Sequence, residues 1–209
     1  MIKRPIHLSH DFLAEVLDDE SVAIDATMGN GNDTAFLTGL AKKVYAFDVQ
    51  EQALEKTSQR LSDLGIENAE LILDGHENLD RYVTEPIRAA IFNLGYLPGG
   101  DHHVTTDAMS TLAAVQAAVE KLALHGVLVV VVYPGHPAGQ AESELVKAYL
   151  ENFIQKKYNK RVQLDRILLA NRQSQEKGGL HLSFYQGHYW LYPVKQPAPS
   201  PLEEVVAGQ

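Results

Sequence analysis

The chain contains no cysteine among its 209 residues. A protein without cysteine has neither a disulfide framework nor a thiolate zinc site, and this composition fits a reducing compartment. Long hydrophobic runs are also missing, because the longest, GVLVVVVY at 126–133, is far shorter than the roughly 20 apolar residues that span a bilayer. The first residues, MIKRPIHLSHDFL, do not contain the apolar core of a signal peptide. We therefore expect a cytoplasmic protein that does not enter a membrane.

The length of the chain suits one domain that can bury its own hydrophobic core. We expect this single domain to cover residues 1–195. The last segment, 196–209, contains Pro197, Pro199 and Pro201, and repeated proline is incompatible with regular structure. We therefore expect a disordered tail there.

The charge of the chain is unevenly distributed. The whole sequence has a formal net charge of −9, but residues 145–195 contain nine basic and three acidic residues, a net charge of +6. Such asymmetry indicates a polyanionic partner, whereas a run of like charges is more often a solvated helix face. The composition leaves both interpretations open. The densest part of the basic segment consists of Lys156, Lys157, Lys160 and Arg161.

Short apolar runs alternate with helical patterns along most of the chain. Runs rich in Val, Ile, Ala and Phe predict buried strands at 21–26, 43–48, 69–74, 89–94 and 126–133. Helical patterns lie at 33–41, 50–64, 76–82, 105–124 and 138–156. Strict alternation predicts an α/β fold, a parallel sheet with helices on both faces. Beyond residue 160, two apolar stretches joined by NRQSQEKGG predict a C-terminal antiparallel hairpin, which makes a mostly parallel, seven-stranded, Rossmann-like sheet.

The turn after the first predicted strand reads DATMGNGNDT, residues 25–34. Gly29 and Gly31 allow the backbone to approach a ligand closely, but Thr34 stands where a dinucleotide fingerprint has its third glycine. The second strand ends in Asp48, whose carboxylate can accept hydrogen bonds from two ribose hydroxyls. Asp48 could instead cap the following helix. The glycine turn and the acid at the next strand end together indicate a nucleoside ligand.

Asp25, before the turn, favours S-adenosylmethionine over a dinucleotide. A carboxylate suits a cationic sulfonium and ammonium, whereas a pyrophosphate prefers a helix N-terminus without competing carboxylates. The third strand ends in Asp74-Gly-His76, which we expect near the adenine, although a simple turn is the alternative. No metal is expected, because the adjacent residues Asp101-His102-His103 lack the spacing of zinc ligands.

The fourth predicted strand ends in NLGYLPGGD, where amino-methylating enzymes carry an Asn/Asp-Pro-Pro-Tyr/Phe motif. In that motif an oxygen acceptor orients the attacking amine and an aromatic ring stacks on the base, roles that suit Asn93 and Tyr96 here. The amine must be neutral to attack, which makes Asp101 and His136 the candidates for removing its proton. Tyr133 should face the same crevice. The alternative is that Asn93 caps a plain loop.

Four of these segments, DATMGNGNDTAFL, VYAFDVQ, AIFNLGYLPGGD and VVYPGHPAG, resemble the bacterial MnmM (YtqB) family, first labelled rRNA methylases. The resemblance extends over about residues 5–150. It implies a class I methyltransferase fold, S-adenosylmethionine as donor and S-adenosylhomocysteine as product. It also implies a homodimer that N-methylates the 5-aminomethyl group of the tRNA wobble uridine.

The predicted site has three parts. The expected donor-binding residues are Asp25, Thr27, Gly29, Asn30, Gly31, Asn32, Asp48, Gln50, Asp74, His76 and Asn93. The expected catalytic residues are Asn93, Tyr96, Asp101 and His136. The expected substrate-binding residues are Tyr96, Tyr133, Lys156, Lys157, Lys160, Arg161 and Asn171.

The sequence departs from the family between the last two predicted strands. Members there have an Asn-Gln-x-Asn-x-Pro-Pro-like string, whereas this chain reads ANRQSQEKGGLHLSFYQ, with Asn171 at the first position and no prolines. The basic segment fits the phosphates of a tRNA anticodon arm. Two alternatives remain: a methyltransferase acting on rRNA or a small amine, and a nucleotide-binding oxidoreductase or non-catalytic binding domain.

Overall fold

The structure, a computed structural model, describes residues 5–94, 107–132, 144–146, 148–149, 166–171, 180–185 and 188–193. Its helices are α1 (Pro5–Ala14), α2 (Asn32–Thr38), α3 (Glu51–Asp63) and α4 (Ala108–Lys121), with a 3-10 helix at His76–Arg81. Its strands are β1 (Val22–Asp25), β2 (Lys43–Asp48), β3 (Ala69–Leu73), β4 (Ile87–Asn93), β5 (Leu122–Val132), β6 (Arg166–Asn171), β7 (Leu180–Tyr185) and β8 (His188–Pro193).

All eight strands belong to one sheet, in the order β3-β2-β1-β4-β5-β6-β7-β8. Strands β1 to β6 are parallel to one another, whereas β7 is antiparallel to both β6 and β8. The chain order reverses between β1 and β4, and ligands of open α/β sheets bind outside the carboxyl ends of the strands at such a reversal. The predicted Rossmann-like parallel sheet is confirmed.

Strands β1, β2 and β4, and β5 over residues 126–131, are buried on both faces, and alternate side chains pack against different helices. Ile24, Phe92 and Leu128 belong to a core cluster that includes the buried face of α4. Their neighbours in the strands, such as Ala23 and Ile91, belong to a second cluster with residues of α1 and α2. This two-sided burial explains why the strands read as continuous apolar runs.

Two local features differ from the sequence-based expectation. No pattern predicts α1, although its Leu13 is fully buried in the core beneath the sheet. The helix expected to end at 124 ends at Lys121, and Leu122 pairs with Ile87 of β4. Residues 122–124 have a helical composition, but the pairing of Leu122 with β4 ends the helix, and this tertiary effect outweighs local propensity.

The predicted number of seven strands is wrong. The stretch LHLSFYQGHYWLYPV reads as one strand, but the structure divides it into β7 and β8, which pair antiparallel with Leu182 opposite Leu191. Strands in globular proteins usually have about 5–6 residues, and dividing the stretch lets its halves satisfy each other's backbone hydrogen bonds. The expected tail at 196–209 lies outside the described residues. None of the helices in the described ranges is both long enough and apolar enough to cross a membrane.

Candidate functional site

The turn that follows β1 depends on two glycines with left-handed backbone. Gly29 has φ 51° and Gly31 has φ 74°, a region that other residues rarely adopt. The N–H of Gly31 donates to the carbonyl of Met28 at 2.7 Å, which closes the turn before α2 begins. A Cβ at Gly31 would lie 2.9 Å from Thr57 of α3, so the backbone of the turn packs directly on that helix.

Asp48, at the end of β2, joins this turn to the start of α3. Its Oδ2 accepts from the N–H of Gly29 at 3.0 Å, and its Oδ1 accepts from the N–H of Gln50 at 3.0 Å. The helix binds the turn at two further points, because Thr57 Oγ1 donates to the carbonyl of Gly29 and Arg60 Nε donates to that of Asn30. Asp48 is only partly buried, and each carboxylate oxygen can accept a second hydrogen bond. Asp48 therefore orders the start of the helix, and its contact with a ribose stays a prediction.

Asp25 is completely buried beneath the turn. Its carboxylate accepts from the Thr27 N–H at 3.1 Å and from Thr34 Oγ1 at 2.7 Å. Burial, together with the nearby charge of Asp33, raises the pKa of Asp25 to about 7. Asp25 therefore stabilises the turn through these two hydrogen bonds. Because it is buried, it would act on a ligand electrostatically and not by direct contact. Thr34, which occupies the place of the third glycine in a dinucleotide fingerprint, donates its hydroxyl hydrogen bond to Asp25.

Asp33, in the first turn of α2, connects three elements of the fold. Its Oδ1 accepts from His10 Nε2 of α1 at 2.7 Å, and its Oδ2 accepts from Asn93 Nδ2 of β4 at 3.1 Å. The His10 ring lies parallel to the Phe36 ring, with a centroid separation of 3.8 Å and an interplanar angle of 4°. Neither Asp33 nor His10 is among the site residues predicted from the sequence. Asp33 lies within DATMGNGNDT, so its position beside the glycines was a usable signal, whereas no pattern linked His10 to the site.

Asn93 lies beside this turn, because β4 pairs with β1 in parallel and Ile91 is opposite Asp25. Its backbone N–H donates to Thr27 Oγ1 at 2.8 Å, while its side-chain amide donates to Asp33. Both contacts join Asn93 to the segment predicted to bind the donor. The structure thus brings together Asn93, Thr27 and the glycine turn as the sequence predicts.

Asp74 and His76 follow β3 and have their own local partners. Asp74 accepts from the Gly75 N–H, Asn78 Nδ2 and Tyr82 Oη, each at 2.8 Å, and the Tyr82 hydroxyl is the main cause of a lowered pKa of Asp74. His76 is buried, and its Nδ1 donates to the carbonyl of Ala26 at 3.0 Å. Both side chains stabilise the 3-10 helix and the turn, and their contact with an adenine stays a prediction.

Two buried polar atoms near the turn are candidates for contact with a ligand. Asn30 Oδ1 and His76 Nε2 are buried and have no hydrogen-bond partner among the residues that the structure describes. Buried polar atoms normally have partners, so these two are compatible with ligand donors. Asn32, the first residue of α2, is exposed. The glycine turn, Asp48 and Asn30 therefore fit the nucleoside and amino-acid parts of S-adenosylmethionine.

Several predicted site residues lie outside the described part of the chain. These are Tyr96, Asp101, Tyr133, His136, Lys156, Lys157, Lys160 and Arg161. Asn171 is the last residue of β6 and pairs with Val132 of β5, so its backbone lies at the same edge of the sheet as Asn93. Within the described ranges, no group of three or more potential metal ligands comes together.

A model of the family described as "Putative rRNA methylase" matches residues 44–177, more than half of the chain. The chain belongs to this family. The match includes β4, β5 and all of β2 except its first residue, and with them Asp48 and Asn93. The family resemblance inferred from the sequence motifs is therefore confirmed.

Individual relatives agree with this family. A protein from Arabidopsis thaliana named "tRNA (mnm(5)s(2)U34)-methyltransferase, chloroplastic" is 37% identical over 161 residues, which are 70% of this chain and 59% of that relative. The chain thus spans less than two thirds of this relative's length. A Streptococcus mutans structure described as a "putative methyltransferase" in complex with SAH is 53% identical, with a TM-score of 0.69, and the match covers 80% of this chain and 88% of that one. A "putative rRNA-methylase" structure from Clostridium thermocellum is 38% identical, with a TM-score of 0.72 and the same coverage.

Proposed function

We propose that the chain is an S-adenosylmethionine-dependent methyltransferase. The observation that carries this proposal is the hydrogen bond from the Gly29 N–H to Asp48, which places the glycine turn and the acid of the next strand side by side at the reversal of strand order. This arrangement can hold a nucleoside, with the ribose at Asp48 and the neighbouring Gln50 and the amino-acid part along residues 29–32. Membership of a methylase family and a relative crystallised with SAH support the choice of donor.

The electrostatics of the turn favour a cationic donor over a dinucleotide. The carboxylates of Asp33 and Asp48 lie next to the glycine turn, whereas buried Asp25, with its pKa raised to about 7, adds a full negative charge only above that pH. A pyrophosphate at the start of α2 would meet their negative charge, whereas a sulfonium and an ammonium would be attracted by it. Thr34 further weakens the oxidoreductase alternative, since it replaces the third glycine and uses its hydroxyl to bind Asp25.

For the acceptor, we propose the 5-aminomethyl group of a tRNA wobble uridine. Bound S-adenosylmethionine would supply a methyl group attached to a cationic sulfur, ready for in-line displacement by a neutral amine. Asn93 is anchored beside the turn and would orient the N–H of that amine, so most of the rate enhancement would come from positioning. We assign stacking on the uridine to Tyr96 and Tyr133, and removal of the amine proton to Asp101 or His136.

The choice of tRNA is supported by the name of the Arabidopsis relative and by the basic segment. We propose that Lys156, Lys157, Lys160 and Arg161 neutralise phosphates of the anticodon arm, with Asn171 at the same edge of the sheet. The net charge of −13 over residues 1–144 would disfavour loose binding of other RNA. We also propose a cytoplasmic site of action and a homodimer, with residues 1–195 as the folded unit.

Two experiments test this proposal. Isothermal titration should show binding of S-adenosylhomocysteine and none of NAD(H), and the opposite result would make the protein a dinucleotide-binding one. Nucleoside mass spectrometry of tRNA from cells lacking the gene should show loss of 5-methylaminomethyl uridine and accumulation of its 5-aminomethyl precursor. If tRNA nucleosides are unchanged while purified enzyme methylates rRNA or small amines, the donor assignment stands and the acceptor assignment fails.

A further inference from the structure

Asp33 and His10 form a connected pair beside Asn93 that the assigned roles leave unexplained. Asp33 is buried, and its two carboxylate oxygens have different partners, His10 on one side and Asn93 on the other. The three residues come from α2, α1 and β4 and are far apart in the sequence. A buried carboxylate is costly unless it has partners, and these two hydrogen bonds offset part of that cost.

We propose that Asp33, held in place by His10, is a positioning residue that fixes the orientation of the Asn93 amide for methyl transfer. This inference rests on the proposed function. A side-chain amide has a donor end and an acceptor end of nearly equal size, so packing alone selects poorly between its two orientations. A carboxylate only accepts, and Asp33 therefore draws the Nδ2 of Asn93 toward itself, which directs Oδ1 away from Asp33.

The selected orientation matters because the attacking amine needs an acceptor. As the new N–C bond forms and the S–C bond breaks, its electron pair goes to the sulfur and the positive charge moves to the amine nitrogen, where an amide oxygen that accepts the N–H stabilises it. In the flipped orientation Asn93 would present N–H groups to a cationic centre. The carboxylate of Asp33 also contributes negative charge next to the amide, in a buried place where screening by water is weak.

His10 prevents Asp33 from adopting another rotamer. Its Nε2 donates to Asp33 Oδ1, and its ring is stacked on Phe36, which lies three residues after Asp33 on the same face of α2. The ring therefore has one side fixed by stacking and one edge fixed by the hydrogen bond. The hydrogen bond from His10 to Asp33 therefore connects α1, which belongs to no predicted motif, to the proposed site.

A double-mutant cycle between positions 33 and 93 tests the proposal. We expect Asp33→Asn to lower kcat for methylation of precursor tRNA by about 10- to 100-fold, with the Kd for S-adenosylhomocysteine changed less than about threefold. Asn93→Asp alone should also lower kcat, because it places two carboxylates in contact. The double variant should recover about tenfold over Asp33→Asn, since either oxygen of Asp at 93 can accept from the amine while the Asn at 33 supplies the N–H. Asp63→Asn, an equal charge loss on the exposed end of α3, is the matched control.

Substitutions at His10 provide the second measurement. His10→Ala should lower kcat by about three- to tenfold, and His10→Gln, which retains a donor, should recover part of that loss. His7→Ala changes an exposed histidine of the same helix and should leave kcat unaltered.

The outcomes separate the inference from the proposed function. A double variant no more active than Asp33→Asn, or equal losses in kcat and in S-adenosylhomocysteine binding, overturns the orientation role while the wild-type protein still methylates. Absence of methyl transfer by the wild-type protein overturns the proposed function and the inference with it.

Discussion

The two ends of strand β2 carry polar clusters of opposite kind. At its start, Lys43 Nζ lies 2.9 Å from Glu70 and donates to the Tyr45 hydroxyl at 2.7 Å, and that hydroxyl donates to Glu85 at 2.9 Å. The side chains of the ion pair are 38% and 48% exposed. Positive and negative groups are paired there in contact with water, which is typical of a surface network.

At the end of β2, the site places three carboxylates around one turn. Asp25 is fully buried and Asp33 nearly so, and their proximity contributes to the raised pKa of Asp25. Clustered buried carboxylates destabilise the folded state, whereas the paired charges at the start of the strand do not. A fold tolerates this cost at a functional site, because a cationic ligand binding there would offset it. The contrast therefore supports the proposed site at the carboxyl end of the sheet.

The largest expected effect is that of Asp25→Asn on the pH dependence of stability. In the wild-type protein Asp25 keeps its proton up to about pH 7, whereas the unfolded chain loses it near pH 3.8. The folded state thus binds the extra proton between these values, and the free energy of unfolding must fall as the pH rises through that window. The raised pKa corresponds to up to about 4 kcal/mol.

Thermal or urea unfolding at pH 4 and pH 8 measures this effect. Asparagine can accept from the Thr27 N–H and donate to the Thr34 hydroxyl, so the variant should fold and lose the decline between the two pH values. If the variant and the wild-type protein show the same pH dependence, Asp25 is not the group responsible.

The second effect is that of Asp48→Ala on donor binding. The substitution removes the acceptor of the Gly29 and Gln50 N–H groups and the proposed ribose contacts. We expect the Kd for S-adenosylhomocysteine to rise about 100-fold, or about 2.7 kcal/mol, the range of one or two hydrogen bonds to a charged group. Isothermal titration measures it, with Asp48→Asn as an intermediate variant. An unchanged Kd would show that Asp48 only orders α3.

The third comparison uses two glycines with nearly equal backbone angles. Gly31 and Gly65 have φ 74° and 67°, but a Cβ at Gly31 would meet Thr57 at 2.9 Å, whereas one at Gly65 would meet nothing within 4 Å. Gly31→Ala should therefore lower the free energy of unfolding by about 2–3 kcal/mol and Gly65→Ala by about 1 kcal/mol, the cost of left-handed backbone alone. Urea unfolding of both variants measures the difference, and equal losses would mean that the turn adjusts without strain.

The smallest effect is expected at the other end of β2. Lys43→Met removes the ion pair with Glu70 and retains most of the apolar stem. Exposed ion pairs contribute about 0–1 kcal/mol, so we expect a loss below about 1 kcal/mol and no change in S-adenosylhomocysteine binding. Weakened S-adenosylhomocysteine binding by Lys43→Met would contradict the conclusion that the start of β2 takes no part in donor binding.

Local patterns predict the part of the site that follows single strands. The apolar runs ending in Asp25, Asp48 and Asn93 become β1, β2 and β4, and the parallel order places their ends at one edge of the sheet. Two glycines with positive φ stand in the predicted turn. These features depend on residues close together in the chain, so sequence patterns are sufficient to predict them.

Contacts between distant segments are beyond such patterns. The sheet has one strand more than predicted because β7 and β8 pair with each other. Helix α4 ends earlier than predicted because Leu122 pairs with β4. Each case required knowledge of which partner was available in the folded sheet.

The sequence by itself determined the class of fold, the glycine turn, the acid at the end of β2 and the resemblance that led to the family. Tertiary structure alone decided that Asp25 is buried beneath the turn, and that His10, Asp33 and Asn93 meet. The physical reason is that periodicity and turn chemistry act over a few residues. Burial and side-chain contacts, in contrast, depend on strand order and on how α1 and α2 pack against the sheet.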